Sequence, residues 1–103
     1  MAYDRVLAAL ADPTRRHIFE ALRARPKTVA ELAKAQPVSR PAVSQHLRVL
    51  KSARLVSVER ARGNRRLYRV DREGLRELRE YLETFWSDVL SAYALHLERS
   101  SKK

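Results

Sequence analysis

From Pro37 to Lys51 the chain reads Pro-Val-Ser-Arg-Pro-Ala-Val-Ser-Gln-His-Leu-Arg-Val-Leu-Lys, a run without a single acidic residue. Val43, Leu47 and Leu50 recur at i, i+4 and i+7, the spacing of one apolar stripe on a helix. Pro41, Ser44, Gln45 and Arg48 then fall on the opposite side. Ser39 suits the N-cap, and Pro41 is tolerated in the first turn. An Arg guanidinium pairs with guanine O6 and N7, a Gln amide with adenine N6 and N7, and a Ser hydroxyl with either base. A helix packed on one face and offering these groups on the other fits the DNA major groove. An ordinary surface helix is the plain alternative.

Arg40, Ser44 and Gln45 are the candidate base readers. Arg48 and Lys51 are candidates for phosphate contacts, which set register without carrying sequence information. His46 sits at the edge of the apolar stripe, where it either donates to a phosphate or base or packs as an interface residue. The candidate DNA-facing set of this helix is thus Ser39, Arg40, Pro41, Ser44, Gln45, His46, Arg48 and Lys51.

A second cluster follows. Arg60, Arg62, Arg65 and Arg66 surround Gly63-Asn64. Like charges this close repel one another unless a polyanion is present, so Arg60, Arg62, Asn64, Arg65 and Arg66 are candidates for a minor-groove or backbone contact. A solvated charged turn is the alternative. Thr14 and Arg15 lie at a predicted helix N-terminus, where backbone N–H groups and the cation can hold a phosphate. Arg16 has the further option of an ion pair with Glu20 one turn on.

Composition sets the bounds. The 103 residues suit one domain, 45% of them are hydrophobic, and the formal net charge is +10. So basic a chain points to a polyanion such as DNA, RNA or a lipid surface. The charge is segregated: Pro37 to Val70 holds nine Lys/Arg and one acid, a net of +8. Asp71 to Glu98 holds three Arg and seven acids, a net of −4. With no cysteine there is no disulfide and no thiolate metal site. His17, His46 and His96 lack metal-ligand spacing, and His17, next to Ile18 and Phe19, reads as structural. No nucleophile–base pair, glycine-rich phosphate loop or paired carboxylate stands out, so an enzyme is not expected. Neither a membrane-spanning run nor a signal-peptide pattern is visible, which leads to the expectation of a cytoplasmic protein that does not enter membranes.

The elements that must position these groups follow from local signals. Tyr3 to Leu10 reads as a short helix. Asp12-Pro13 starts a second, expected to run to about Arg25 before Pro26. Thr28 with Glu31 forms a capping box for a third helix carrying Val29, Leu32 and Ala33. The interval 35–38 is a turn, and the Pro37–Lys51 helix closes a helix-turn-helix over about 28–52. Leu55–Val58 and Arg66–Val70 alternate as strands around Arg62-Gly63-Asn64. They make a hairpin wing over about 54–70. A long helix covers about 72–98, and Ser100 to Lys103 reads as a frayed tail. Leu75, Leu78, Leu82, Phe85, Val89 and Ala92 repeat along this last helix at threes and fours, and Trp86, Leu90, Tyr93 and Leu97 widen the stripe. Packing on its own core and pairing with a second copy are both open. For a dimer the candidate interface is Leu7, Leu78, Leu82, Phe85, Trp86, Val89 and Tyr93.

These landmarks resemble the ArsR/SmtB family of bacterial winged-helix repressors. The likeness lies in Ala9-Leu-Ala-Asp-Pro-Thr-Arg-Arg16, Val29-Ala-Glu-Leu-Ala33, Ser39–Leu50, Ala53-Arg-Leu-Val56 and Arg62-Gly-Asn-Arg65, in order and at family spacing over residues 5–97. The ending with Phe85-Trp86 resembles the cysteine-free, SdpR-like autorepressor branch. The resemblance implies a mainly α winged helix-turn-helix, about five helices with a two-stranded wing, forming one domain over 1–103. It further implies a homodimer joined through terminal helices, and repression from an imperfect inverted repeat in double-stranded promoter DNA. A bacterial cytoplasm and nucleoid would be the setting. The family's metal sensors carry Cys-Val-Cys where Thr28 and Ala30 stand here, and the Asp-x-His pair of the last helix is absent at Asp88–Leu90. Metal sensing is therefore not carried over, no cofactor is expected, and the effector is unknown. A non-specific architectural DNA- or RNA-binding protein is the second reading; a module whose last helix binds another protein is the third.

Overall fold

The computed structural model describes residues 3–101, in the order α1 (Tyr3–Ala11), α2 (Pro13–Ala21), α3 (Val29–Ala35), α4 (Arg40–Ser52), β1 (Val56–Arg60), β2 (Arg66–Val70) and α5 (Arg72–Ser101). A single 3₁₀ turn, Arg62–Asn64, joins the strands. The architecture is the mainly helical winged helix-turn-helix expected, with five helices and a two-stranded antiparallel wing. Lys102 and Lys103 of the expected tail lie outside the described residues, whereas Ser100 and Ser101 continue α5.

Each start signal acts as its chemistry requires. Asp12 Oδ1 accepts from the Arg15 N–H at 3.1 Å, with Pro13 in the first turn. Thr28 Oγ1 accepts from the Glu31 N–H at 3.2 Å while Glu31 Oε1 accepts from the Thr28 N–H at 3.1 Å, a complete capping box. Ser39 Oγ accepts from the Ala42 N–H at 3.3 Å. Several boundaries differ from expectation: β1 runs on to Arg60 and α5 to Ser101. Helix α2 ends at Ala21 rather than near Arg25, because the Leu22 and Arg23 N–H groups turn back to the Phe19 and Glu20 carbonyls in a tightened last turn. Strand β1 begins one residue late, since the Leu55 N–H closes the end of α4 on the Leu50 carbonyl.

The core is formed by the inner faces of the first four helices and the base of the wing. Ile18, Leu32, Val43, Leu47, Leu50, Leu55 and Val56 are sealed from solvent. The wing's register pairs Val56 with Val70, Val58 with Tyr68 and Arg60 with Arg66. Lys27 adds one rung to the outer edge of β2: its N–H donates to the Tyr68 carbonyl at 2.9 Å, and its own carbonyl accepts from the Tyr68 N–H at 2.8 Å. That rung ties the entry of α3 to the wing.

Helix α5 behaves differently. Gly74 is its one buried residue among those described, and Leu75 and Leu78 pack half-buried on the core. From Arg79 to Ser101 every residue is exposed, and the chain is drawn out to 71 × 25 × 24 Å. Tyr81 stacks on Tyr3 of α1 with centroids 4.3 Å apart, which ties α1 to the helix as it leaves the body.

The cap of α3 carries an electrostatic signature. The Arg25 guanidinium lies 2.6 Å from Glu31, and that hydrogen bond, helped by the Thr28 N–H, holds the Glu31 carboxyl down at about 2 against an ordinary 4.5. A carboxyl held lower in the folded chain than in the unfolded one adds stability above 4.5 and loses it as pH falls toward 2. The expected outcome is a melting temperature that declines across that window in the wild type and declines less steeply in Glu31→Gln. Gln keeps the cap but not the charge. Equal slopes in thermal scans from pH 5 to pH 2 would contradict this assignment.

Candidate nucleic-acid interface

Helix α4 presents the chemistry that its spacing predicts. Val43, Leu47 and Leu50 are buried, while Arg40, Pro41, Ser44, Gln45, Arg48 and Lys51 are exposed. Arg48 Nη1 donates to Gln45 Oε1 at 3.4 Å, so two polar groups of the outer face are held side by side. Ser39 is exposed, but its hydroxyl oxygen is already engaged as the cap of α4.

His46 is half-buried. The Asp12 carboxyl is held below its ordinary 3.8, chiefly by the Arg15 N–H, partly offset by desolvation, with the charges of His46 and Arg15 adding to the lowering. His46 faces the start of α2 closely enough to bear on Asp12, and both readings of it, a contact to DNA or a packed residue, stay open.

At the wing tip, Gly63 (φ 72°) and Asn64 (φ 60°) turn the chain through two successive left-handed residues, which glycine and asparagine accept most readily. The Ala61 N–H donates to the Arg65 carbonyl at 2.7 Å and closes the tip. Arg60, Arg62, Arg65 and Arg66 are all exposed, with Arg60 and Arg66 opposite each other across the ladder. The wing's one acid, Glu59, lies 3.6 Å from Arg69, away from the tip. Four guanidiniums thus stand at the tip without an ion pair among the described residues.

The N-terminal corner corrects one expectation. Arg15 Nε donates to the Ala9 carbonyl at 2.6 Å and its Nη2 to the Ala8 carbonyl at 3.3 Å. Arg16 Nη1 donates to the Leu10 carbonyl at 2.8 Å instead of pairing with Glu20. The end of α1 leaves carbonyls without intrahelical partners, and the two arginines satisfy them. Arg15, expected at a phosphate, thus has its Nε and Nη2 engaged by these carbonyls; Thr14 beside it is half-buried. Of the expected interface set Leu78 packs half-buried on the core, whereas Leu7, Leu82, Phe85, Trp86, Val89 and Tyr93 are exposed.

Sequence reasoning missed three positions. Lys27 bonds as a strand through its backbone, and a single rung leaves no periodic signal. Arg54, at the end of α4, takes a left-handed φ of 59°, a conformation its residue type does not announce. Gly74, a lone glycine opening a long helix, was the readable one. Among the described residues no three of His, Asp and Glu gather in a metal-binding group, and no helix is long and apolar enough to cross a membrane.

A helix-turn-helix with an acid-free outer face, followed by an arginine-tipped hairpin, defines a winged-helix DNA-binding protein. Comparisons with known proteins give the family. Residues 12–58 match the family described as "Bacterial regulatory protein, arsR family". The chain is 56% identical over 91 residues to the HTH-type transcriptional regulator Rv2034 of Mycobacterium tuberculosis, covering 88% of this chain and 84% of that one. It is 37% identical over 57 residues to the transcriptional repressor SdpR of Bacillus subtilis, covering 55% and 63%. Among solved structures, the homodimeric winged helix-turn-helix DNA-binding domain of Mb0332 from Mycobacterium bovis superposes with a TM-score of 0.67 at 28% identity, covering 88% and 83%. The chain belongs to the ArsR family of DNA-binding transcriptional regulators, and it is not an enzyme.

The two kinds of arginine are separable by mutation. Arg15→Ala is expected to lower the melting temperature, by about 1 kcal/mol or more of stability for the lost caps, with little change in DNA affinity once the protein is folded. Arg65→Ala is expected to leave the melting temperature in place and to reduce the salt slope of DNA binding by about 1. Thermal scans and salt-series anisotropy on both variants check this; swapped effects would contradict it.

Proposed function

We propose that this chain is a homodimeric transcriptional repressor that binds an inverted repeat in promoter DNA, its own among them. The outer face of α4 carries the reading: its inner face is sealed, and Ser44, Gln45 and Arg48 stand exposed with no carboxylate among them. Arg40, Ser44 and Gln45 read base edges, and Arg48 and Lys51 contact phosphates. The wing arginines lie along the backbone or in the adjacent minor groove. Thr14 and the start of α2 approach the backbone without Arg15.

Homodimerisation is supported by the exposed stripe of α5. Leu82, Phe85, Val89 and Tyr93 repeat at threes and fours along a helix that leaves its own domain, and Leu7 of α1 is exposed as well. The Mycobacterium bovis domain is described as homodimeric, and SdpR as a repressor. Pairing across this stripe would place two copies of α4 in successive major grooves about one helical turn apart. The chain fits the cysteine-free branch: position 28, a thiolate in family metal sensors, is a threonine whose oxygen caps α3.

Two experiments test the proposal. Gln45→Ala is expected to cost about 1–3 kcal/mol on the selected operator and little on random duplex; equal losses on both would contradict a reading role. The single Trp86, 61% exposed in the protomer, is expected to shift its emission to the blue as concentration rises through the dimer range. Sedimentation showing a monomer at micromolar concentration, with unshifted emission, would overturn the dimer.

A further inference from the structure

We propose that Gly74 is a positioning residue that fixes the angle between the recognition helix α4 and the long helix α5, and so sets the half-site spacing the protein accepts. The proposal rests on the dimeric, inverted-repeat reading above. Its basis is a contact between two backbones. Helix α4 ends in a Schellman turn: the Arg54 N–H donates to the Lys51 carbonyl at 3.0 Å and the Leu55 N–H to the Leu50 carbonyl at 2.9 Å, with Arg54 left-handed at φ 59°. That turn sends the Arg54 and Leu55 carbonyls toward the start of α5. The Gly74 N–H donates to the Arg54 carbonyl at 2.8 Å, and the Asp71 N–H to the Leu55 carbonyl at 2.9 Å. Asp71 Oδ1 accepts from the Glu73 N–H at 3.0 Å and caps the same turn.

Glycine is required here by space. A Cβ at position 74 would lie 2.6 Å from the Ala53 carbonyl oxygen and 2.7 Å from that of Arg54, both backbone atoms. No flexible side chain can swing aside to relieve this, so an added methyl must displace one helix from the other by several tenths of an ångström. Gly74 is also the one buried residue of α5 among those described. The helix that carries the exposed dimer stripe is therefore locked to the helix that carries Ser44 and Gln45 by its first turn. Because α5 is 30 residues long and this joint lies in its first turn, a small tilt there is magnified along its length and moves the two copies of α4 relative to each other. The expected signature is a change in spacing preference with the half-site sequence kept. A generally weakened fold would not produce it.

The test selects operators from a random duplex pool with the wild-type protein, then measures binding to the selected half-sites with central spacers varied by single base pairs. Gly74→Ala is expected to remain dimeric, to prefer the same half-site sequence, and to change its spacing profile, losing about tenfold or more on the wild-type spacing relative to its own new optimum. Should Gly74→Ala fail to fold, Asp71→Ala loosens the same turn without adding an atom between the backbones, and a broadened spacing preference is expected. A spacing profile unchanged from wild type, in Gly74→Ala or, where that variant does not fold, in Asp71→Ala, overturns the proposal alone. A wild-type protein that selects no paired half-sites overturns the dimeric reading, and this proposal with it.

Discussion

Val43, Leu47 and Leu50 have no freedom to turn. Each is sealed in a core that also holds Ile18, Leu32 and Leu55, and burying such side chains is worth roughly 1.5–3 kcal/mol apiece. With those three fixed at i, i+4 and i+7, the rotation of α4 about its axis is set, and Ser44, Gln45 and Arg48 must face outward. The capped start at Ser39 and the Schellman turn at Arg54 fix where the helix begins and ends. The chemistry offered to DNA is thus a consequence of packing. A polar group in place of any of the three would cost both stability and aim.

The arginines divide by what they touch. Arg15 and Arg16 satisfy the carbonyls that end α1, Arg25 braces the cap of α3, and Arg69 lies beside Glu59 on the wing. Arg76 and Arg79 pair with Glu73 and Glu83 along α5. Among the described residues the guanidiniums at the wing tip have no such ion pairs, and two of them face each other across the ladder. Mutual repulsion in a compact turn would be relieved by a polyanion, and in the function proposed here the tip meets phosphate with an affinity that falls as salt rises. Six of the twelve acidic residues lie on α5.

Much of this was legible in the chain. Helix starts at Asp12, Thr28 and Ser39 announce themselves because a capping side chain is a local device, complete within three residues. The apolar stripe of α4 and the alternation of Arg66–Val70 are equally local. What the chain concealed depends on distant partners. Arg15 reads as a free cation at a helix start, and only the fold shows the carbonyls of Ala8 and Ala9 within its reach. Leu78 shares the periodicity of Leu82 and Phe85, yet it sits where α5 still touches the core, a position periodicity cannot supply. The rung at Lys27 and the shortened end of α2 belong to backbone geometry, which side-chain patterns encode weakly.

The most direct measurement is fluorescence anisotropy of the purified protein on DNA from upstream of its own reading frame, against random duplex of equal length, across a salt series. The account predicts binding that persists at physiological salt and exceeds random-duplex binding by about a thousandfold or more. Equal affinity for both, lost together with the same salt slope, would contradict sequence-specific regulation and leave a basic winged-helix protein that binds the DNA backbone alone.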